Sequence, residues 1–252
     1  MYITTTGLVL RETEYKESSR ILTVLTGTEG KLTVSARGTK RKNSKTAAST
    51  QLLAYSEMTL YKGRDNYWTL TEARSLELFD GLRDELELVS LGAYFAEVME
   101  TVSDEDSPSP EILALGLNSL YALSRRLKPR EVIKAAFELR MMCLAGFAPI
   151  LTACSQCGND TQSAWLDPIG GVITCEKCVK PDGLALPLNA GALAAARYIV
   201  SAEPKKLFSF SISNEALEKL GKAAEKYLLV QTDRSFKTLD FYNNVIQYTE
   251  RR

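Results

Sequence analysis

Two regularly spaced pairs of cysteines constrain the fold of this chain more than any other feature. They occur in the stretches CSQC (154–157) and CEKC (175–178), which give the pattern C-x2-C-x17-C-x2-C. Two residues between cysteines let both thiolates of a pair reach one ion, and two pairs supply the tetrahedral four-sulfur coordination that suits zinc. We therefore predict a structural Zn²⁺ in a zinc ribbon inserted at about residues 150–182, with ligands Cys154, Cys157, Cys175 and Cys178.

Disulfides or redox-active dithiols are an alternative interpretation of the same four cysteines. The first residues lack the basic region of a signal peptide, and no apolar run approaches the ~20 residues that span a bilayer. We therefore expect a cytoplasmic protein with reduced thiols. Neither pair lies in the βαβ context of a thioredoxin. Four protein ligands leave no position for a catalytic water, so we expect the zinc to stabilise the fold.

The first 80 residues show the pattern of β-strands. Alternating apolar and polar residues, interrupted by short loops with glycine or polar residues, predict five strands at about residues 6–13, 20–26, 31–37, 51–63 and 65–73. Five strands match a small OB-type β-barrel, although half of an antiparallel sandwich has a similar pattern.

After residue 78 the apolar residues recur every three or four positions, which predicts helices. Helical segments are expected up to about residue 127, from residue 130 to Gly146, and again at 189–202, 214–230 and 236–249. The predicted fold class is α+β. It combines a five-stranded OB-type barrel at 1–80 with a helical domain at 81–252 that contains the zinc-ribbon insertion.

Composition disfavours an enzyme. The chain contains no histidine, which excludes the Ser-His-Asp and Cys-His arrangements for nucleophilic catalysis. It also lacks a Walker A sequence, a GxGxxG motif and a nucleophile elbow. The net charge is zero, so any binding of nucleic acid has to use a local basic patch.

The stretch KLTVSARGTKRKNSK (31–45) is the strongest candidate for such a patch. It holds six basic residues and no acid, and its members are Lys31, Arg37, Lys40, Arg41, Lys42 and Lys45. A solvated loop is the simplest interpretation. Its place in a predicted OB barrel, where strand faces and loops commonly bind oligonucleotides, favours phosphate binding instead. Nearby aromatic residues that could stack on bases are Tyr55, Tyr61, Tyr67 and Trp68, of which we expect Trp68 in the core.

A second basic cluster, RRLKPREVIK (125–134), surrounds the start of a predicted helix. A solvated turn between helices would explain it. It could also contact phosphates, or bind an acidic peptide tail beside the apolar helix face of Ile133, Phe137 and Met141.

Two stretches of the chain resemble the RecO family of bacterial recombination mediators and DNA-repair proteins. These are GLVLRETEYKESSRILTVLTGTEGKLTVSARGTKRKNSK and FELRMMCLAGFAPILTACSQCG. The order of barrel, helical region, cysteine-rich insertion and terminal helices is similar to that of the family over essentially the whole chain.

The resemblance implies a protein without catalytic activity. It implies binding of single- and double-stranded DNA, annealing of complementary strands, and cooperation with RecR to load RecA onto DNA coated by single-stranded-DNA-binding protein, whose acidic C-terminal tail is a further partner. The basic loop and the four cysteines match the family's DNA-binding loop and zinc ligands. The candidates for the tail site are Arg126, Lys134, Phe137 and Arg140, although Arg140 could form an internal salt bridge. A cytoplasmic, nucleoid-associated protein is expected.

Two rival functions remain at this stage. One is a zinc-containing nucleic-acid enzyme, such as a metal-dependent nuclease, and the other is an adaptor that binds only proteins. Cleavage of DNA with Mg²⁺ or Mn²⁺ would support the first, and a lack of DNA binding would support the second.

Overall fold

The structure of the protein is a computed structural model that describes residues 1–15, 17–39, 44–63, 67–105, 107–180 and 184–250. Its first part is built from five strands: β1 (Tyr2–Tyr15), β2 (Ser19–Thr26), β3 (Lys31–Ala36), β4 (Tyr55–Lys62) and β5 (Trp68–Glu77). They form a closed barrel in the order β1-β2-β3-β5-β4. The predicted five-stranded OB-type barrel is therefore confirmed.

The barrel closes because each strand has one apolar face. Strand β3 pairs in parallel with β5, with Val34 opposite Trp68, while the other pairs are antiparallel. Alternate residues point inward and form one core. Its buried members are Val9, Leu22, Val24, Leu32, Val34, Ala36, Ala54, Met58, Leu60 and Trp68.

Helices follow the barrel, as predicted. The described residues contain six α-helices, which are α1 (Leu86–Val102), α2 (Pro110–Ser124), α3 (Arg130–Leu144), α4 (Ala190–Ser201), α5 (Asn214–Thr232) and α6 (Lys237–Glu250). Short 3-10 helices lie at Ala48–Thr50, Asp80–Asp84 and Pro204–Lys206. In the part of the chain that the structure describes, no helix is both long and apolar enough to cross a membrane.

The cysteine-rich insertion lies between α3 and α4 and contains a β-hairpin. Strand β6 (Ala164–Asp167) pairs antiparallel with β7 (Val172–Thr174) on one side. On its other side β6 pairs with β8 (Leu186–Leu188), a strand that was not predicted. The result is a small sheet in the order β7-β6-β8.

The chain divides into two compact units. One contains Met1–Arg125 together with Phe236–Arg252, and the other contains Arg126–Ser235. Helices α1, α2 and α6 thus belong to the same unit as the barrel, while α3, α4, α5 and the small sheet form the second unit. The division into 1–80 and 81–252 follows the change from strands to helices and stays a prediction.

Candidate metal centre and nucleic-acid interface

The four predicted zinc ligands lie together. The sulfur atoms of Cys154, Cys157, Cys175 and Cys178 are all within 4.8 Å of one another. Those of Cys157 and Cys175 are 3.9 Å apart, and every cysteine of the chain has a free thiol. Tetrahedral coordination with zinc–sulfur bonds of about 2.3 Å places sulfurs about 3.8 Å apart. The donor set and its dimensions therefore fit a zinc ion, whereas the separation is far too long for a disulfide.

Local turns bring each pair of cysteines into position. After the first pair, the Gly158 N–H donates to the Cys154 carbonyl at 2.9 Å, and Gly158 has a φ of 73°, which a glycine adopts without strain. In the second pair, the Cys178 N–H donates to the Cys175 carbonyl at 3.0 Å. The two turns also meet, because the Cys175 N–H donates to the Cys154 sulfur at 3.3 Å.

These contacts change the acidity of the thiols. Hydrogen bonds from backbone N–H groups, first that of Cys175 and then that of Cys157, lower the pKa of Cys154 to about 6. Thiol hydrogen bonds with Cys175 and Cys157 raise the pKa of Cys178 to about 12. Thiolates that lie this close together repel one another, so one of the four thiols keeps its proton. A divalent cation between the sulfur atoms would neutralise this repulsion and favour the loss of that proton.

Arg197 in α4 fixes the chain on both sides of the first cysteine pair. Its guanidinium donates to the carbonyls of Leu151 at 2.7 Å and Thr152 at 3.0 Å. It also donates to the Asp160 carboxylate at 2.9 Å. Because residues 152 and 160 flank Cys154–Cys157, one side chain positions the start and the end of this turn.

The predicted basic loop begins where β3 ends. Arg37 and Lys45 are exposed, as a phosphate-binding role requires. Gly38 has a φ of 71°, and the buried hydroxyl of Thr39 donates to the Ala36 carbonyl at 3.3 Å, which anchors the first end of the loop. Its second end is held by the Thr50 hydroxyl, which donates to the Thr46 carbonyl at 2.8 Å. The predicted contacts Lys40, Arg41 and Lys42 lie outside the described residues.

Lys31 lies at the other end of β3 from the basic loop. Five residues of extended strand separate it from Ala36, or about 17 Å. Its ammonium donates to the carbonyl of Glu100 in the last turn of α1 at 2.8 Å, where a cation also interacts favourably with the helix dipole. The structure therefore gives Lys31 a structural contact away from Arg37 and Lys45.

The aromatic candidates differ in their surroundings. Trp68 is 7% exposed and belongs to the barrel core, as predicted. The Tyr55 hydroxyl donates to the Thr6 hydroxyl at 3.1 Å. Tyr61 is exposed and contacts the ring of Tyr2, a residue that the sequence reasoning missed because it placed the first strand at residues 6–13. The run of aromatic and β-branched residues from Tyr2 to Thr6 was the signal for a longer strand.

Three of the four residues predicted for a peptide tail have internal contacts. The Lys134 ammonium lies 2.7 Å from a Glu138 carboxylate oxygen and 2.6 Å from one of Glu225. Phe137 is completely buried. Arg140 donates to carbonyls at the end of α4, with distances of 2.6 Å to Val200 and 2.8 Å to Ala202. It binds carbonyl oxygens there instead of the carboxylate of an internal salt bridge.

Burial decides what these contacts mean for the tail site. A peptide on the surface would not reach Lys134 or Phe137, because both lie in the interior of their unit. Arg126 is exposed, at the start of that unit. The predicted tail site therefore stays a prediction that rests on Arg126.

The fold and the cysteine cluster define a class of proteins that combine an OB-type barrel with helices and a four-cysteine zinc-ribbon motif. Residues 1–79 match the family described as "Recombination protein O N terminal", and residues 83–240 match "Recombination protein O C terminal". The chain belongs to the RecO family of DNA repair proteins.

Curated relatives agree with this assignment along nearly the whole chain. The DNA repair protein RecO of Acetivibrio thermocellus is 34% identical over 95% of this chain and 96% of its own length. The RecO proteins of Caldicellulosiruptor bescii and Alkaliphilus metalliredigens are 30% and 29% identical, over 95% and 97% of this chain and 97% and 100% of their own lengths.

Proposed function

We propose that this protein binds single- and double-stranded DNA and anneals complementary strands, without catalytic activity of its own. Membership of the RecO family supports the role in DNA repair. The observation that carries the DNA site is the exposure of Arg37 and Lys45, the basic residues at the two described ends of the loop that follows β3. Six basic residues without an acid occur in residues 31–45, although the chain as a whole has no net charge.

The proposed mechanism is electrostatic. Two DNA strands repel each other through their phosphates, and lysine and arginine side chains reduce this repulsion when they bind phosphates and release counterions. Unpaired bases then stay free to meet their complements. Phosphate contacts carry no sequence information, so the protein should bind and anneal strands of any sequence.

The finer partnerships of the family extend this proposal. We infer that the protein helps RecR to load RecA onto DNA coated by single-stranded-DNA-binding protein, and that it binds the acidic tail of the coating protein. A cytoplasmic, nucleoid-associated location follows from such a role. Zn²⁺ is the proposed structural cofactor, supported by the four sulfurs within 4.8 Å of one another.

The test is the salt dependence of binding to a labelled single-stranded oligonucleotide. With about five phosphate contacts, log K should fall against log salt with a slope of roughly −3.5. Replacing Lys40, Arg41 and Lys42 together by alanine removes three charges, so the slope should become less steep by about 2. The affinity should weaken by a similar factor for every sequence tested, and annealing of complementary strands should slow.

A second triple variant controls for the loss of charge alone. Lys205, Lys206 and Lys226 are exposed residues of the other unit, and their replacement by alanine also removes three positive charges. We expect this variant to retain the wild-type slope. A wild-type affinity that is independent of salt, or equal effects of both triple variants, would contradict the proposed site. Cleavage of DNA in the presence of Mg²⁺ or Mn²⁺ would contradict the lack of catalytic activity.

A further inference from the structure

One row of side chains crosses four strands of the barrel on its outer surface. Ser35 of β3 lies opposite Thr69 of β5, and Thr69 lies opposite Tyr61 of β4. Tyr61 in turn lies opposite Tyr2 of β1. With about 4.8 Å between neighbouring strands, the row is about 14 Å long.

These four side chains face outward because their chain neighbours face the core. Val34, Leu60 and Trp68 are buried members of the barrel core, and Ile3 packs against the same core. Since side chains alternate along a strand, residues next to these four point to the opposite side. The row is therefore a surface feature that the closed order of the barrel creates from distant parts of the sequence.

The row ends in a pair of exposed aromatic rings. The centroids of Tyr2 and Tyr61 are 4.9 Å apart, and their planes are tilted by 43°. Tyr2 is 65% exposed and Tyr61 is 40% exposed, so both rings contact each other and still present surface to solvent. Gly63 lies beside the Tyr61 ring, where a Cβ would be 3.6 Å from a ring carbon, and as a glycine it places no side chain over that edge of the ring.

Positive charge lies at the β3 end of this row. At the β3 end, exposed Arg37 directly follows the strand and opens the basic loop. Lys62, next to Tyr61, points to the opposite side of the strand, where its ammonium lies 5.2 Å from the centre of the Trp68 ring. The acidic Glu72 belongs to the next row, opposite Thr59. Arginine and hydroxyl groups beside exposed aromatic rings match the chemistry of single-stranded nucleic acid.

We propose that Tyr2 and Tyr61 form a stacking platform for unpaired bases of single-stranded DNA whose phosphates bind Arg37 at the β3 end of the row. The site presupposes the DNA binding proposed above and adds a contact that only unpaired bases can make. A partner protein is the alternative ligand for exposed aromatic rings. Such interfaces have an apolar, charge-depleted centre, whereas this row contains Ser35 and Thr69 between the tyrosines and the arginine.

The test uses the full chain and two probes of equal length and charge, an oligothymidylate and a strand of abasic nucleotides. The wild-type protein should bind the oligothymidylate more tightly, because only this probe has bases that can stack. In the variant Tyr2→Leu/Tyr61→Leu, which keeps apolar side chains on the strands, binding of oligothymidylate should weaken roughly 5- to 100-fold. Its affinity for the abasic strand and its salt slope should stay at the wild-type values.

Two control variants complete the experiment. Tyr2→Phe/Tyr61→Phe keeps the rings and should keep the preference for bases. Tyr121→Leu removes another exposed tyrosine, 46% exposed in α2 of the same unit, and should have no effect on either probe. Fluorescence of Trp68 reports whether each variant retains the folded barrel.

Four results would overturn the platform. For the leucine variant, these are an unchanged preference for bases, an equal loss of affinity for both probes, and an oligomeric state that differs from that of the wild type. The fourth is a wild-type protein that binds both probes equally. The last result leaves the electrostatic DNA binding intact if the salt slope is present. A wild-type protein that binds neither probe would overturn the proposed function together with the platform.

Discussion

Lys134 is a charged residue that lies buried inside the second unit. Lysine is almost never buried unless it has charged partners. Lys134 is only 8% exposed and has two such partners. Glu138, one turn later in α3, and Glu225 in α5 both contact its ammonium. Burial alone would lower the pKa of Lys134, but the two carboxylates more than offset burial and raise it above its ordinary value.

Removal of this buried cation should destabilise the second unit strongly. The substitution Lys134→Met leaves the buried Glu138 carboxylate without its cation, which costs about 3–5 kcal/mol of unfolding free energy. The double variant Lys134→Met/Glu138→Leu removes that buried charge and should recover most of the loss. The measurement is urea unfolding followed by the fluorescence of Trp165 in β6. A single variant as stable as the wild type would show that the ion pairs contribute nothing.

The raised pKa also fixes the pH dependence of this contribution. A lysine that binds its proton more tightly in the folded state contributes its full stability below the ordinary lysine pKa of about 10.4. The contribution is lost as the pH rises through the raised pKa. The difference in stability between the wild type and Lys134→Met should therefore be constant from pH 6 to 9 and decrease only in stronger alkali.

At the scale of elements, the cysteine turns depend on a helix that lies later in the chain. Arg197 in α4 binds the backbone on one side of Cys154–Cys157 and Asp160 on the other. Groups that orient metal ligands commonly change metal affinity by 10- to 100-fold when they are removed. We expect the loss of metal affinity on replacement of Arg197 to lie in this range, because Arg197 holds both ends of the turn that carries Cys154 and Cys157.

The substitution Arg197→Ala should weaken zinc retention by about 10-fold. The wild-type protein should contain one zinc ion per chain, which elemental analysis measures, and a competing chelator should remove it more readily from the variant. Arg140→Ala is the matched control, since Arg140 also binds backbone carbonyls of α4 but at residues 199–202, away from the cysteines. If both variants release zinc alike, general loosening of α4 explains the effect instead.

Elements that depend on local patterns were predictable from the sequence. The cluster of four cysteines follows from their spacing alone, and helices α3 to α6 follow from their apolar period. Two features were not predictable, because they depend on tertiary contacts. Leu86 fits the predicted apolar stripe of α1 but is 56% exposed, since the helix begins there and buries Leu88 and Leu91 instead. The contact between Tyr2 and Tyr61 depends on the register of β1 against β4, which no local pattern specifies.

At the scale of the whole molecule, the chain leaves its first compact unit and later returns to it. Residues 126–235 form the second unit, and α6 then packs in the unit of the barrel. Phe236 is buried, and its ring lies 5.8 Å from that of Tyr94 in α1. The Glu97 carboxylate accepts a hydrogen bond from the Thr238 N–H at 3.0 Å and another from the Thr238 hydroxyl. An anion at the start of a helix satisfies free N–H groups and interacts favourably with the dipole.

Deletion of residues 236–252 should therefore destabilise the unit that contains the barrel, although the barrel lies at the other end of the sequence. The deletion exposes Tyr94 and leaves Glu97 without the N–H and hydroxyl of Thr238, so the barrel unit should unfold at lower urea concentration. Versions of the protein with a single tryptophan separate the units, because Trp165→Phe leaves Trp68 to report on the barrel unit and Trp68→Phe leaves Trp165 to report on the second. We expect the transition of Trp68 to shift and that of Trp165 to stay. Glu97→Gln keeps the packing of α6 and should produce a smaller shift, whereas a shift confined to Trp165 would show that α6 stabilises the second unit instead.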